Sequence, residues 1–264
     1  MLHSADIFLF SFVLYNSDVL VFRYIHTLLK ANTYIFADSQ KKKALVIDPG
    51  AGSAQWVKKI LHIYSLDLSG VLLTHGHADH CWDVGVVATD DTPVFIADPD
   101  MYRLDNPAYF TGMEAGAFIS ESGHDWIKPM NIQSLPSSLL TGGGAQIVAG
   151  VPLRALPSPG HTEGSCVFLT QFSCEPLDGT FDMSAVVTSG ASHQFLITGD
   201  VLFHGSVGRT DLPGGNEKEM IETLRTLSSV FDPRCVILPG HGNISTLESE
   251  INENFYMKQV LGKV

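Results

Sequence analysis

The sequence predicts a single α/β domain in which short apolar strands alternate with amphipathic helices. Apolar runs of strand length recur along the chain, and two longer segments carry their apolar residues on one helical face. Residues 1–264 show no internal repeat, no linker and no second domain. This length is large for one core but within the range of an α/β sandwich. We therefore expect one domain whose sheets are covered by helices.

The amino-terminal part predicts paired strands at residues 19–22, 33–36 and 44–47. The apolar run at residues 7–15 has the length of a signal-peptide core, but Asp6 stands where a cationic segment should precede it. No run reaches the roughly 18 apolar residues needed to span a bilayer. The four cysteines are few and irregularly spaced, which is typical of reduced thiols. We expect a cytoplasmic protein with no membrane partner.

Three segments predict helices. Residues 53–64 place Trp56, Val57 and Ile60 on one face. Residues 216–231 form an amphipathic pattern in which Met220, Leu224 and Leu227 point inward. A last helix is expected over residues 246–261.

Two stretches interrupt this regular alternation. Residues 112–144 are polar and rich in glycine, and residues 174–193 have low hydrophobicity between two apolar runs. Turn-forming composition without periodicity favours loops. We expect both stretches to be surface insertions, formed as loops or hairpins.

The most informative segment follows the apolar run at residues 71–73. It contains three imidazoles and a carboxylate within seven residues, at His75, His77, Asp79 and His80. Imidazole nitrogen and carboxylate oxygen together suit zinc, iron or manganese better than calcium or magnesium. No CxxC accompanies these histidines, which argues against a structural zinc finger. The segment predicts a metal site.

Three further ligand candidates each follow an apolar run and lie in a loop that contains glycine. They are His161, Asp200 and His241. A rigid sheet commonly presents functional side chains from loops at the ends of its strands. Each candidate alone would be weak evidence, but with the first cluster they form a set of seven.

The order HxHxDH, then His, Asp and His resembles the metallo-β-lactamase superfamily, from about Asp48 to His241. The resemblance implies a four-layer αβ/βα sandwich with the site along one sheet edge. It also implies two divalent metal ions, with zinc favoured and iron or manganese suitable. The implied ligands are His75, His77 and His161 for the first metal, Asp79, His80 and His241 for the second, and Asp200 as the bridge.

Asp48 matches the strand-end aspartate that the superfamily places near the first metal. The resemblance implies that it orients the ligating imidazoles and sets their tautomers. Asp48 also precedes Pro49 and Gly50, a sequence typical of a turn, and both interpretations stay open.

The implied ligand set predicts hydrolysis. Two metals about 3.5–4 Å apart can hold a bridging hydroxide that attacks a carbonyl, with Asp79 and Asp200 as catalytic residues. Metal binding lowers the pKa of water to about 7. The sequence contains no GxSxG motif that would supply a serine nucleophile.

Residues 199–215 closely resemble single-domain glyoxalase II-like (hydroxyacylglutathione hydrolase-like) enzymes. The resemblance implies a small-molecule thioester substrate such as S-lactoylglutathione. Arg209 is a candidate contact for a substrate carboxylate, or alternatively a partner of Asp211 that braces the loop. The helical domain that carries glutathione contacts in two-domain enzymes has no counterpart after His241, so the thiol carrier stays open.

Other functions remain as alternatives. A persulfide dioxygenase of the same fold would hold one iron with His75, His161 and Asp200. Gly242 stands where those enzymes carry a different sequence, which favours the hydrolase. Lactone hydrolysis would use the same seven ligands, whereas β-lactam hydrolysis is disfavoured. The net charge of −12 argues against nucleic-acid binding, and the sequence indicates no oligomeric state.

Overall fold

The structure is a computed structural model that describes residues 10–12, 19–38, 40–140, 144–148, 151–173 and 192–263. Within these ranges, no helix combines the length and apolar character needed to cross a membrane. The predicted insertion at residues 174–193 falls almost entirely outside the described residues, as does most of the apolar run at residues 7–15.

The first half of the chain forms a seven-stranded sheet in which spatial order follows chain order. Its strands are β1 (Phe10–Phe12), β2 (Val19–Ile25), β3 (Asn32–Asp38), β4 (Lys43–Ile47), β5 (Asp67–Leu72), β6 (Val94–Ile96) and β7 (Ile132–Ser134). The strands β1 to β4 are antiparallel to their neighbours, and β4 to β7 are parallel. The three strands predicted from residues 19–47 are confirmed.

The second half forms a six-stranded sheet and a short hairpin. Its strands are β8 (Ala145–Val148), β9 (Val151–Pro157), β10 (Cys166–Ser173), β11 (Ser192–Gly199), β12 (Leu202–Phe203), β13 (Ser206–Val207), β14 (Val236–Pro239) and β15 (Ser245–Thr246). The sheet order is β15-β14-β11-β10-β9-β8, and β12 pairs with β13. The strands β11 and β14 are parallel. Since β10 is antiparallel to both β9 and β11, these two strands also run in the same direction.

The described helices are α1 (Ala54–Ile63), α2 (Ala78–Cys81), α3 (Val84–Val87), α4 (Pro107–Thr111), α5 (Ala115–Ser122), α6 (Ser137–Leu140), α7 (Glu217–Val230), α8 (Leu247–Glu253) and α9 (Phe255–Val260), with a 3-10 helix at Asp98–Asp105. The predicted helices at residues 53–64 and 216–231 are confirmed as α1 and α7. Asn216 begins α7 because its side chain accepts hydrogen bonds from two backbone amides of the first turn.

The single helix predicted over residues 246–261 is wrong, because the segment is divided into α8 and α9 at Asn254. This residue is extended, with φ −66° and ψ 122°, and its side chain accepts bonds from the amides of Tyr256 and Met257. Its amide group also donates to the carbonyl of Ser206 at 3.0 Å. A side chain that caps a new helix and reaches a neighbouring hairpin overrides the continuous periodicity.

Three hydrophobic cores lie between the layers of helices and sheets. One core lies between the sheets, where Leu45 and Ile47 of β4 meet residues of the second sheet such as Phe168. Because side chains alternate along a strand, Ala44 and Val46 face the opposite way, into a core with α1. The outer face of the second sheet packs on α7, α8 and α9. Helix, sheet, sheet and helix layers confirm the four-layer αβ/βα sandwich.

The prediction of a surface loop at residues 112–144 is wrong for much of that stretch. It contains α5, α6 and the edge strand β7. Phe118 of α5 is fully buried and stacks on Trp82, with ring centroids 5.0 Å apart. Leu139 of α6 is fully buried in the core between the sheets. The helices are too short for sequence periodicity to show which residues face inward.

Replacing Phe118 with alanine tests this correction. We expect Phe118→Ala to lower the free energy of unfolding by about 3–5 kcal/mol, because it leaves a cavity against Trp82. Urea denaturation followed by circular dichroism measures the change. Met130→Ala is the matched control in the same stretch, since Met130 is 78% exposed, and it should change stability by less than about 0.5 kcal/mol. Equal effects of the two substitutions would restore the surface-loop interpretation.

Candidate metal centre

The seven predicted ligands lie where strands of both sheets end. The loops after β5, β9, β11 and β14 carry five of them, the short helix α2 carries Asp79 and His80, and the loop after β4 carries Asp48. The two sheets are joined at this edge, because the amide of Asn32 donates to the carbonyl of Gly240 at 2.7 Å. The Asn32 side chain also donates to the carbonyl of Pro239 at 2.9 Å. The loops of the two sheets are therefore held at one common edge.

The structure brings all seven predicted ligands together. Their nitrogen and oxygen atoms form three overlapping groups, and within each group the ligand atoms lie within 4.8 Å of one another. The groups are His75 with His77 and His161, His75 with His80 and Asp200, and Asp79 with His80 and His241. The first and third groups coincide with the two ligand sets that the resemblance implied.

Asp200 lies between these two sets. Its Oδ2 is 3.6 Å from Nε2 of His161 in the first set and 3.3 Å from Nε2 of His241 in the second. Its Oδ1 is 3.2 Å from Nε2 of His80. The Asp79 carboxylate is on the side of the second set, 3.3 Å from His241. One carboxylate thus faces donors of both sets, as a bridging ligand must.

Backbone carbonyls on the far side fix the tautomers of two histidines. Nδ1 of His161 donates to the carbonyl of Arg209 at 2.7 Å, and Nδ1 of His241 donates to the carbonyl of Leu29 at 2.9 Å. A carbonyl oxygen can only accept, so the proton must be on Nδ1. When the ring is neutral, its lone pair is then on Nε2, which faces the centre. Hydrogen bonds of this kind orient metal-binding imidazoles.

Asp48 orients two more imidazoles. Its Oδ2 lies 3.1 Å from Nδ1 of His80 and accepts from the Thr74 hydroxyl at 2.7 Å. The same hydroxyl lies 3.0 Å from Nδ1 of His75. Asp48 also has φ +51°, so it forms the turn after β4 as well. Asp48 therefore both orients ligating imidazoles and forms a turn, which are the two interpretations that the sequence left open.

Asp100 connects the first two ligand loops, although no sequence motif indicates it. Its fully buried carboxylate accepts from the amide of Gly76, between His75 and His77, at 2.8 Å. It also accepts from the hydroxyl of Thr162, the residue after His161, at 2.9 Å. The carboxylate therefore fixes the spacing of the histidines in the first set.

Arg103 neutralises Asp100 within the same 3-10 helix. Its Nε donates to Asp100 at 3.0 Å, and its guanidinium also pairs with Glu163 and donates to the carbonyl of Pro213 at 2.9 Å. Arg103 is fully buried. A buried charge without such partners would cost several kcal/mol. The pair ties the loop at residues 209–215 to the two ligand loops.

Two glycines allow the backbone to approach the centre closely. A Cβ on Gly208 would overlap the carbonyl oxygen of Asp200, and one on Gly240 would overlap the Asp200 carboxylate. Any side chain at either position would displace Asp200. Packing therefore requires glycine at both positions.

Burial and neighbouring charges set the protonation of the site. Burial, with three imidazoles close by, holds the pKa of His75 well below its usual range, and burial lowers the pKa of His77 to about 3. Burial alone would raise the pKa of Asp200, but His241 and His80 outweigh it and hold that pKa well below its usual value.

Burial alone would lower the pKa of His241 and His80, but Asp200 and Asp79 outweigh it, raising the pKa of His241 to about 10 and holding that of His80 well above its usual value. Neutral imidazole and ionised carboxylate are the forms that bind metal cations, so metal binding at the second set must release protons from these two rings.

The site fits divalent metal ions. Nε2 of His75 is buried and has no hydrogen-bond partner among the described residues, although it faces the other ligands. A buried polar atom without a partner is costly. A cation at the first set would satisfy this lone pair. The mixture of imidazole and carboxylate donors suits zinc, iron or manganese.

A cavity of about 390 Å³ opens onto the ligands. Asp79, Asp200 and three of the histidines line it, and apolar side chains form much of its wall, namely Leu29, Met113, Phe203, Val207 and Leu212. Arg209 lies at its rim, where its guanidinium makes two bonds of 2.6 and 2.7 Å to Asp211. The Arg209–Asp211 pair that would brace the loop is thus present. Contact between Arg209 and a substrate stays a prediction.

The family model of the metallo-beta-lactamase superfamily matches residues 26–172, more than half of the chain. The chain therefore belongs to this superfamily of metallo-hydrolases, whose enzymes use divalent metals. An uncharacterised protein of Mycobacterium tuberculosis is 30% identical over 88% of this chain and 94% of its own length. A hydroxyacylglutathione hydrolase of Haemophilus influenzae is 26% identical over the same shares. A crystal structure in a di-iron-bound form is 26% identical, with a TM-score of 0.63 over 89% of this chain and 99% of that one.

Removing the Asp100 charge tests its role in holding the ligand loops. We expect Asp100→Asn to lower the free energy of unfolding by about 3–5 kcal/mol, since it leaves Arg103 without its buried partner. Metal affinity should fall about 10- to 100-fold, because the first-set histidines lose their spacing. Chelator competition measures the affinity. Asp105→Asn is the control on the same helix, because its pair with Lys128 is exposed. Unchanged metal affinity in Asp100→Asn would show that the loops keep their spacing without it.

Proposed function

We propose that the protein is a thioester hydrolase that binds two divalent metal ions and acts by water attack. The observation that carries this proposal is the position of Asp200, whose Oδ2 faces His161 of the first set and His241 of the second. When bound, two such ions supply an activated water and polarise the carbonyl of the substrate. Zinc suits the donors, and iron is supported by the similarity to the di-iron form.

The described lining of the cavity supports water as the nucleophile. It contains no serine or cysteine, and its one threonine, Thr111, is engaged, since its hydroxyl donates to the carbonyl of Pro107 at 2.8 Å. Cys81 is fully buried, and burial raises the pKa of its thiol well above the usual value. A buried neutral thiol is inert. Asp79 lines the cavity as a carboxylate that can orient a water molecule and accept its proton.

The same lining favours a thiolate as the leaving group. Apart from the predicted metal ligands, the titratable residue in the described lining is Arg209, which stays charged and cannot donate a proton. An amine or alkoxide leaving group needs a proton, whereas a thiol has a pKa near 8.5 and leaves as the anion. A thioester therefore needs no proton donor for its leaving group, which agrees with this lining. The similarity to a hydroxyacylglutathione hydrolase supports the same class.

Arg209 is our candidate for recognising the thiol carrier. Its side chain is 60% exposed at the rim of the cavity, so a substrate carboxylate could replace Asp211 as its partner. The described cysteines Cys81, Cys166 and Cys235 are free. Free thiols fit a reducing compartment, which supports the proposal of a cytoplasmic enzyme acting on a small-molecule thioester.

Metal content and activity should be measured on one preparation. We expect two metal ions per chain by elemental analysis, and release of free thiol from S-lactoylglutathione. A glutathione persulfide assay with an oxygen electrode provides the contrasting test. One iron per chain together with oxygen consumption would contradict the hydrolase and support the dioxygenase, which does not need the second set of Asp79, His80 and His241.

The bridging role of Asp200 has its own test. We expect Asp200→Asn to lose both metals and nearly all turnover, because an amide bridges two cations far less well than a carboxylate. Elemental analysis and the thioester assay measure the two effects. Asp211→Asn serves as the control for metal content, since Asp211 is exposed and is not a predicted ligand. Near-normal metal content in Asp200→Asn would show that Asp200 is not the bridge.

A further inference from the structure

A second cavity of about 480 Å³ lies between α7, α9 and the segment at residues 207–210. Its floor is aliphatic, with the buried side chains of Met220 and Leu224. Ile221 of α7 and Val260 of α9 line it as half-buried side chains. We call this cavity the α7–α9 groove. Its volume is in the range of sites that bind small molecules.

The α7–α9 groove adjoins the cavity at the metal centre. Val207 and Arg209 line both cavities, so the two share a wall. Gly208 lies between these two residues, and a Cβ there would be 3.2 Å from Nδ1 of His161 and would overlap the backbone of Asp200. The wall is therefore a single backbone segment at residues 207–209. An acyl chain that starts at the centre would have to pass over this segment to reach the groove.

We infer that the α7–α9 groove binds the alkyl chain of the acyl group, so that the substrates include acyl thioesters with an unbranched alkyl chain. This inference rests on the proposed function and names its substrate class. An alkyl chain gains about 25 cal/mol for each Å² of apolar surface that it removes from water. The aliphatic floor beside the reacting centre provides such a surface.

The charges around the groove favour the acyl chain over the thiol carrier. Arg209 is paired with Asp211, and the groove lining contributes one further charge of each sign, at Arg225 and Glu217. The Nε of Arg225 is engaged with the carbonyl of Val260 at 3.3 Å. The groove therefore has no excess positive charge to hold an anionic carrier. An anionic carrier would find no net positive charge there to offset the water that it loses.

A chain-length series of acyl thioesters of N-acetylcysteamine tests the inference, because this small neutral thiol keeps the carrier constant. We expect kcat/KM to rise about two- to fourfold for each added CH₂ between four and ten carbons. Ile221→Trp should fill the groove and remove this rise while leaving the acetyl ester unchanged. Val260→Trp, from the other wall, should do the same. Val230→Trp is the matched control, since Val230 is exposed at the end of α7 and does not line the groove.

A flat series in the wild-type protein would overturn the inference. So would a rise that persists in both groove variants. A second series, of acetyl thioesters of alkanethiols, lengthens the thiol side instead, and a rise there that Ile221→Trp removes would also overturn the inference. Binding of the non-hydrolysable S-decyl thioether of N-acetylcysteamine, followed by calorimetry, separates this inference from the proposed function. Binding that is at least tenfold weaker in Ile221→Trp than in Val230→Trp supports the groove even if no thioester is hydrolysed. Equal binding in the two variants overturns it.

Discussion

The geometry of the centre depends on the hydrogen bonds that the buried carboxylate of Asp100 accepts. Imidazoles bind one cation only if their nitrogens are held a few ångströms apart, and here they come from loops that are far apart in the sequence. Asp100 accepts hydrogen bonds at 2.8 Å from the amides of both Gly76 and Gly164, and so joins the two loops that carry the first set. Arg103 makes this burial tolerable by neutralising the charge. The same guanidinium reaches the loop at residues 209–215, so the wall of the cavity and the ligands share one anchor.

A second constraint acts on the protons. The carbonyls of Arg209 and Leu29 accept hydrogen bonds from Nδ1 of His161 and His241, respectively. The carboxylate of Asp48 lies within hydrogen-bond distance of Nδ1 of His80. These contacts direct Nε2 of each ring inward. The carboxylates present negative charge at the same point, and because they raise the pKa values of His80 and His241, these two rings must release a proton when a cation binds. Protein atoms, rather than the ion, determine the orientation of these ligands.

The sequence predicts the ligands and the layers but little of what orients them. The seven ligand types stand in distinctive motifs at strand ends, and continuous apolar runs such as β4 indicate strands that are buried on both faces. Backbone carbonyls, by contrast, have no identity in a sequence, so the partners of His161 and His241 could not be predicted. Asp100 lies in a 3-10 helix with no apolar periodicity. Asn254 was missed because a cap inside an apparently continuous helix depends on tertiary contacts.

The surroundings of the centre also limit the chemistry. Since the described cavity lining offers no protein nucleophile and no proton donor besides the predicted ligands, the site suits substrates that need only an activated water and a stable leaving group. Thioesters meet both requirements. Specificity must then come from the parts of the substrate remote from the reacting bond. Here the two directions out of the centre differ: one leads past the exposed Arg209–Asp211 pair to solvent, and the other leads over Val207 to an aliphatic groove. A polar carrier and an apolar acyl chain would be sorted between them by hydration alone.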